Sequence, residues 1–473
     1  MALTRTFDYY ESPSLSIGKT VSTRFFGPDE HDTGMFVSCL LLALVLSTVA
    51  TPATSELAAD SLEISFVLKA PAEAIAEITA SAPGAAWNRP GAEAAVATIY
   101  LDGRYNQDVV LFQGTETWTY RVFLGPLEAG SHRLRVERNA RWSAQGAGLE
   151  LAAVHVRGLA SNEPEQRAIA HAPILYARAD TLGHFSDIPL LMWYERFSEA
   201  KDTVLQYTVI FSNEDAGTTT DALMARWGRA TDIEYVYRVR LDAQGKIRKE
   251  AFQGPEHKDF AFSGRKEGRH PFLLVLSQNN IFADTGFSAL QYRLLPVRAD
   301  LNQHSREEVM DRFHWTYRLM AQELEREGKL RPYDAVAGTA VGDPRQYLYL
   351  EINAESRDSG VVAWVKLKGQ PRWYSSHRGQ RDLAVSRSGW FRTAVELPTG
   401  TAAEALEFIA IECVEVQDPR NAPSDTSPET LLREISKVFL LDADYRPGPN
   451  LLSATPSLTL RPGEMHTFIP QPR

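Results

Sequence analysis

The chain has 473 residues, 44% of them hydrophobic, and a formal net charge of −10. That length exceeds one ordinary domain and predicts about two to four, each with a proper core. The acidic balance and the lack of a basic stripe exclude a general nucleic-acid binder.

Residues 1–55 read as an N-terminal extension and signal peptide. Its apolar core is Met35–Ala50, too short for a membrane span of about 20 residues. Small residues follow at Val49-Ala50-Thr51-Pro52-Ala53, so export to an extracellular or periplasmic space is expected, with Met1 or Met35 as the start. Removing that segment leaves Cys413 as the one thiol, in an apolar strand run, and no internal disulfide can form.

From 60 to 158, strands such as Val96–Leu101, Trp118–Leu124 and His132–Val136 alternate with turns such as Asp102-Gly103. The run is similar to immunoglobulin-like or carbohydrate-binding accessory modules, which implies a β-sandwich. A central β-sandwich is expected over 170–296. There Leu205, Tyr207, Val209 and Phe211 alternate as a strand, and Ser212–Gly217 forms a polar loop. A short helix over Asp221–Trp227, capped by Thr219 or Thr220, stops at Gly228. A second strand follows, with Ile233, Tyr235, Tyr237 and Val239 on one face and Asp232, Glu234, Val236 and Arg238 on the other.

That phase places Asp232 and Glu234 side by side on a half-exposed face, with Cα atoms roughly 7 Å apart. Three chemistries use such a pair. Arg226, Arg229 or Arg238 neutralises it as a surface ion pair. Calcium or magnesium is held by Asp232 and Glu234 with Asp215 or Asn213. Or the two act as catalytic acid and base. Asn279 and Asn280, after the Pro271–Leu276 strand, are candidate ligand contacts beside ordinary turn chemistry. No His-x-x-x-His or Cys-x-x-Cys spacing supports zinc.

Gly228-Arg229-Ala230-Thr231-Asp232-Ile233-Glu234 resembles the Gly-His-x-x-Asp-Trp-Glu signature of necrosis-inducing secreted β-sandwich proteins and plant vacuolar-sorting-associated-like proteins. His171-Ala172-Pro173 and His270-Pro271 fit the same layout, and the likeness covers Ala170–Pro296. It lacks the signature's histidine and places Ile233 at its tryptophan. The resemblance implies a cation at the acidic residues and membrane damage. The Phe-Ser-Asn-Glu-Asp and Trp-Gly-Arg-x-Thr-Asp-Ile-Glu runs also resemble an uncharacterised secreted family that brings no known activity.

Over 303–442 the pattern predicts one amphipathic helix, about 305–327, then a C-terminal β-sandwich. Ser305 and Glu308 suit a capping box, and Val309, Phe313, Tyr317, Met320 and Leu324 form the apolar stripe, with Glu323, Glu325, Arg326 and Glu327 in water. Trp373 and Tyr374, in a polar loop, are candidates for stacking on a sugar. Asp418–Thr426 reads as loop, Ser427-Pro428-Glu429 as the start of a helix, and 445–473 as a loose tail. The fold class is therefore mainly β: two or three antiparallel β-sandwich domains, with the helix between the second and third. The leading functional expectation is binding of a glycan or another cell-surface ligand, with a calcium or magnesium ion. The alternatives are a hydrolase using Asp232 and Glu234, and a structural or adhesive protein.

Overall fold

Three pairs of sheets account for most of the chain in the computed structural model, which describes residues 60–214, 216–335, 338–416 and 427–471. The protein is mainly β, with a few short helices, none of them long and apolar enough to cross a membrane among the described residues. The apolar run 35–50, Asp215 and the loop 418–426 lie outside the described residues.

The first pair joins a sheet ordered Ser61–Leu68, Gly130–Arg138, Val96–Leu101, Arg104–Val110 to one ordered Trp118–Leu127, Ala72–Ser81, Glu150–Leu159. The central sheet has six strands in the order Asp259–Ala261, Ile247–Gln253, Asp232–Leu241, Asp202–Phe211, Pro189–Glu199, Val297–Arg298. A smaller sheet built on His270–Val275 and Ile174–Tyr176 accompanies it, and these two strands run parallel. In the C-terminal pair, Tyr347–Arg357 lies between Gly389–Glu396 and Glu429–Leu440, and Ser359–Leu367 pairs with Leu406–Glu415.

Apolar packing is continuous from Phe66 of the first sandwich to Leu319, through Phe123, Tyr207, Val239 and Phe282. The C-terminal sandwich has its own core around Leu350, Val365, Phe391, Ile411 and Ile435. Cys413 sits in that core as a free, buried thiol. A third cluster wedges between the central sheet and the C-terminal sandwich, with Ile210 and Ile233 on one side, Val309, Tyr317, Met320 and Leu324 in the middle, and Tyr349 and Phe439 beyond.

Those middle residues follow the predicted apolar stripe, but the helix is broken. It runs as Glu308–Arg312 and Trp315–Arg326, with Phe313 at φ −116°, ψ 60° between them. The capping box does not form because Ser305 Oγ donates instead to Glu351 Oε2 at 3.0 Å. Gly328 follows the helix at φ +65°, as expected. Glu323 is not in water. It is 2% exposed and accepts from Trp87 Nε1 at 2.5 Å, because its face of the helix packs on the first sandwich.

Two further expectations are corrected downstream. Glu429 opens a twelve-residue strand rather than a helix, its alternating apolar residues completing the sheet beside Tyr347–Arg357. The chain beyond Tyr445 is pinned: Leu458–Leu460 pairs with that strand, Met465–Phe468 pairs with Leu406–Glu415, and Leu451 and Leu460 are buried.

Candidate functional site: the acidic end of the central sheet

Phe211 pairs with Asp232, so the chain leaving one strand and entering the next meets at one end of the central sheet. Ile233 and Glu234 face Ile210 and Val209, and Ser212-Asn213-Glu214 runs on past the Asp232 end of the strand pair. The crossover between them is the helix Thr220–Trp227, which starts at Thr219 without a side-chain cap and ends on Gly228 at φ +62°. A Cβ at Gly228 would lie 2.9 Å from Arg392 Cγ of the C-terminal sandwich, so glycine is required there on two counts.

The strand does not keep one phase. A bulge falls where Tyr207 pairs with Tyr237 and Thr208 with Tyr235, leaving Val236 as the extra residue. Asp232, Glu234 and Val236 therefore share a face with Tyr237 and Val239, while Ile233 turns to the helix wedge. Because that face packs on the central core, Asp232 is 2% and Glu234 9% exposed, which corrects the half-exposed surface expected for them.

Asp232 sits in a buried polar network. Asn280, fully buried at φ +44°, donates its side-chain amide to Asp232 Oδ2 at 3.0 Å, Asp187 Oδ1 at 3.2 Å and the Asn213 carbonyl at 3.3 Å. Asp187 pairs with Arg178 at 2.7 Å, and its backbone N–H donates to Asn213 Oδ1 at 2.8 Å. Asn213 in turn donates to Glu327 Oε1 at 3.0 Å. Asn280, Asp187 and Asn213 are each held by at least two others, so they tie the end of the sheet into a platform.

Charge on the platform is unbalanced. Arg229 lies 3.8 Å from Asp232 but only 3.1 Å from Glu307. Burial alone would raise Glu307, yet Arg229, Arg387 and Arg392 outweigh it and hold that carboxyl below its usual range. Asp232 is left undercompensated. Burial, then the charges of Glu234 and Glu214, push its carboxyl well above the ordinary value despite Arg229. Glu214, raised mainly by burial, accepts from the Thr218 N–H at 2.8 Å. Arg238, one of the expected partners, instead pairs with Asp259 at 2.8 Å on the opposite face.

Toward solvent the network ends in Glu234, Gln253, His257 and Asn279. Gln253 donates to Glu234, and His257 Nδ1 lies 3.7 Å from the same carboxylate oxygen. That contact raises the imidazole above its usual value, against burial. Asn279 reaches His257 Nε2 at 3.0 Å. Nearly half of the His257 side chain is exposed, so this edge is where the network meets solvent.

The structure thus brings together Asn213, Asp232, Glu234, Asn279 and Asn280. Trp373 and Tyr374 belong elsewhere. They form a short strand on Ser359–Leu367, with Tyr374 buried in the C-terminal core, so they are neither loop residues nor part of this site. Asp187, Arg178, Gln253 and His257 escaped the sequence reading, because nothing in their spacing links them to Asp232.

A second cluster was also invisible to spacing. His304, Glu308 and Glu351 offer ligand atoms within 4.8 Å of one another, a set able to coordinate a divalent ion. Its one sequence signal is Glu351 within the apolar run Tyr347–Ile352. Arg392 already lies 2.8 Å from Glu351, and Lys437 lies 3.8 Å from Glu308, so resident cations balance much of its charge.

No family model and no curated protein matches the chain. Among solved structures, a family 35 carbohydrate binding module from an environmental isolate shares 17% identity over 21% of this chain and 65% of that one, at a TM-score of 0.16. NLPPya in complex with mannosamine shares 10% over 29% and 73%, at 0.22. The CBM36-1 domain of a multidomain xylanase from the hindgut metagenome of Trinervitermes trinervoides shares 10% over 22% and 77%, at 0.17. These overlaps are too slight to bear on fold or function.

Proposed function

We propose that this is an exported binding protein that engages a glycan or another cell-surface ligand at the acidic end of the central sheet, with a calcium or magnesium ion as part of the site. The observation that carries this reading is the excess of carboxylates at Asp232, Glu234 and Glu214, whose nearby arginine, Arg229, lies 3.8 Å from Asp232 and closer, at 3.1 Å, to Glu307. Export rests on the apolar run Met35–Ala50 and the small residues after it, and N-terminal sequencing of secreted protein tests it. Magnesium keeps several waters and needs only one or two carboxylates directly, so it suits groups that are near one another without being closed into a cage. The resemblance of Gly228–Glu234 to the necrosis-inducing signature is in keeping with a cation here, although the signature's histidine is absent.

The hydrolase reading has one feature in its favour, a carboxyl whose pKa burial and a neighbouring carboxylate raise well above the ordinary value. It requires Asp232 to touch a substrate, and at 2% exposure that group is sealed beneath Asn280 and Glu234. Binding through the exposed edge is therefore preferred. A glycan array probed with and without EDTA tests it: the account expects EDTA-sensitive binding that Glu234→Gln weakens. Unchanged binding after both treatments would place the ligand elsewhere.

A further inference from the structure

The opposite end of the central sheet carries the opposite charge. The strand that begins with Asp232 ends at Leu241, roughly 30 Å away at about 3.3 Å per residue. Beyond it lies a cleft of about 450 Å³ whose walls come from four separate segments. Arg167 comes from the short helix Gln166–Ile169, Arg196 from the strand Pro189–Glu199, and Arg269 from the turn before His270–Val275. The fourth wall is the Gln244-Gly245 turn. Asp242 Oδ1 fixes it by accepting from the N–H groups of Gln244 at 3.0 Å and Lys246 at 2.8 Å.

None of the three arginines has a carboxylate partner among the described residues. The one acidic residue of the cleft, Glu163, is taken by Arg157 at 3.0 Å. Three uncompensated guanidinium groups in one concavity are unexpected on a chain of net charge −10. The Arg167 guanidinium lies against the turn, 3.6 Å from where a Cβ on Gly245 would stand, and Gly245 itself sits at φ +79°. The buried imidazole of His171 registers the same excess of positive charge. Burial first, then Arg269 and other nearby cations, push it down to about 3.

The cleft has no aromatic or aliphatic wall apart from Pro164, so an apolar ligand gains nothing there. Its volume falls within the range of about 300–1,000 Å³ that small-molecule sites occupy, more than a lone oxyanion needs. Arginine forks match carboxylate, sulfate and phosphate oxygens, and the amides of Asn162, Gln166 and Gln244 suit hydroxyl groups. We propose that this cleft is a second binding site, for a polyhydroxylated ligand bearing two or more anionic groups. An acidic oligosaccharide and a sugar bisphosphate share that chemistry.

Isothermal titration calorimetry of the full chain distinguishes them, using trigalacturonate, fructose 1,6-bisphosphate, neutral galactotriose and sodium sulfate as probes. Binding of trigalacturonate alone identifies a carboxylated saccharide, and binding of the bisphosphate alone identifies a phosphorylated one; either supports the site. Affinity is expected to fall at least about tenfold in the Arg196→Ala/Arg269→Ala variant, since each fork contributes charged hydrogen bonds. These side chains are exposed and unpaired, so the variant should match the parent's circular dichroism and melting. Asp232→Asn is expected to leave this binding unchanged, which keeps it separate from the acidic site. The proposal is overturned if neither anion binds, if galactotriose or sulfate binds equally well, or if a folded variant retains the parent's affinity.

Discussion

Asn280 donates to Asp232 at 3.0 Å, and the same amide faces Asp187 and the Asn213 carbonyl. Three acceptors around one buried NH₂ group leave no freedom in its orientation. Replacing Asn280 with alanine strands at least two buried acceptors, at a cost of about 1–3 kcal/mol each before relaxation. Asn280→Asp is worse, because it adds a carboxylate to two others. Urea unfolding should order stability as parent, then Asn280→Ala, then Asn280→Asp. A more stable aspartate variant would show that the site holds a tightly bound cation already.

Asp232 gives a pH signature of unusual sign. Its folded carboxyl is raised above the unfolded value of 3.8, so folding takes up a proton between the two. Its contribution to stability is present below pH 3.8 and is lost as pH rises toward the folded value. Asp232→Asn should remove that loss, making stability less dependent on pH across the window. At any pH below the folded value a divalent ion that binds the ionised carboxylate displaces its proton, so binding heats there should differ between buffers of different ionisation enthalpy. Buffer-independent heats would argue that Asp232 does not join the ion.

His257 behaves in the ordinary direction for a histidine beside a carboxylate. Its folded pKa is raised above 6.5, first by Glu234. The stabilisation is complete below pH 6.5 and disappears as pH climbs through the folded value. NMR titration should place the imidazole above 6.5 in the parent and lower in Glu234→Gln. Equal midpoints would separate His257 from Glu234.

Gly228→Ala is expected to destabilise by about 1–3 kcal/mol, from the left-handed backbone alone. The added Cβ would also press on Arg392, whose guanidinium pairs with Asp311 at 2.7 Å and Glu351 at 2.8 Å. Thermal and urea unfolding measure the loss. A neutral outcome would mean that the helix end and the C-terminal sandwich shift apart without cost.

Much of this architecture was legible locally. Leu205, Tyr207, Val209 and Phe211 enter one core as their alternation predicts, and Gly228 ends its helix as glycine does. Period and turn chemistry are properties of neighbouring residues, so sequence displays them. The bulge at Val236 is a property of two strands, and it silently moves Tyr237 to the face of Asp232. The break at Phe313 and the strand from Glu429 are tertiary in the same sense, set by packing rather than propensity. At the site, Asp232 and Glu234 were visible as a spacing. Asp187 and His257 were not, since only folding brings them to Asn280 and Glu234.

The central claim is a cation at Asp232, Glu234 and Glu214, and melting at constant ionic strength with calcium, magnesium or EDTA tests it most directly. An ion that binds only the folded chain contributes about 2.7 kcal/mol at about a hundred times its dissociation constant. The account predicts a higher melting temperature with one of the two ions, reversed by EDTA and absent in Asp232→Asn. Glu93→Gln, whose carboxylate accepts from Gly91 in the first sandwich, should keep the rise. Superimposable curves in all three solutions, or a rise that survives Asp232→Asn, would contradict it.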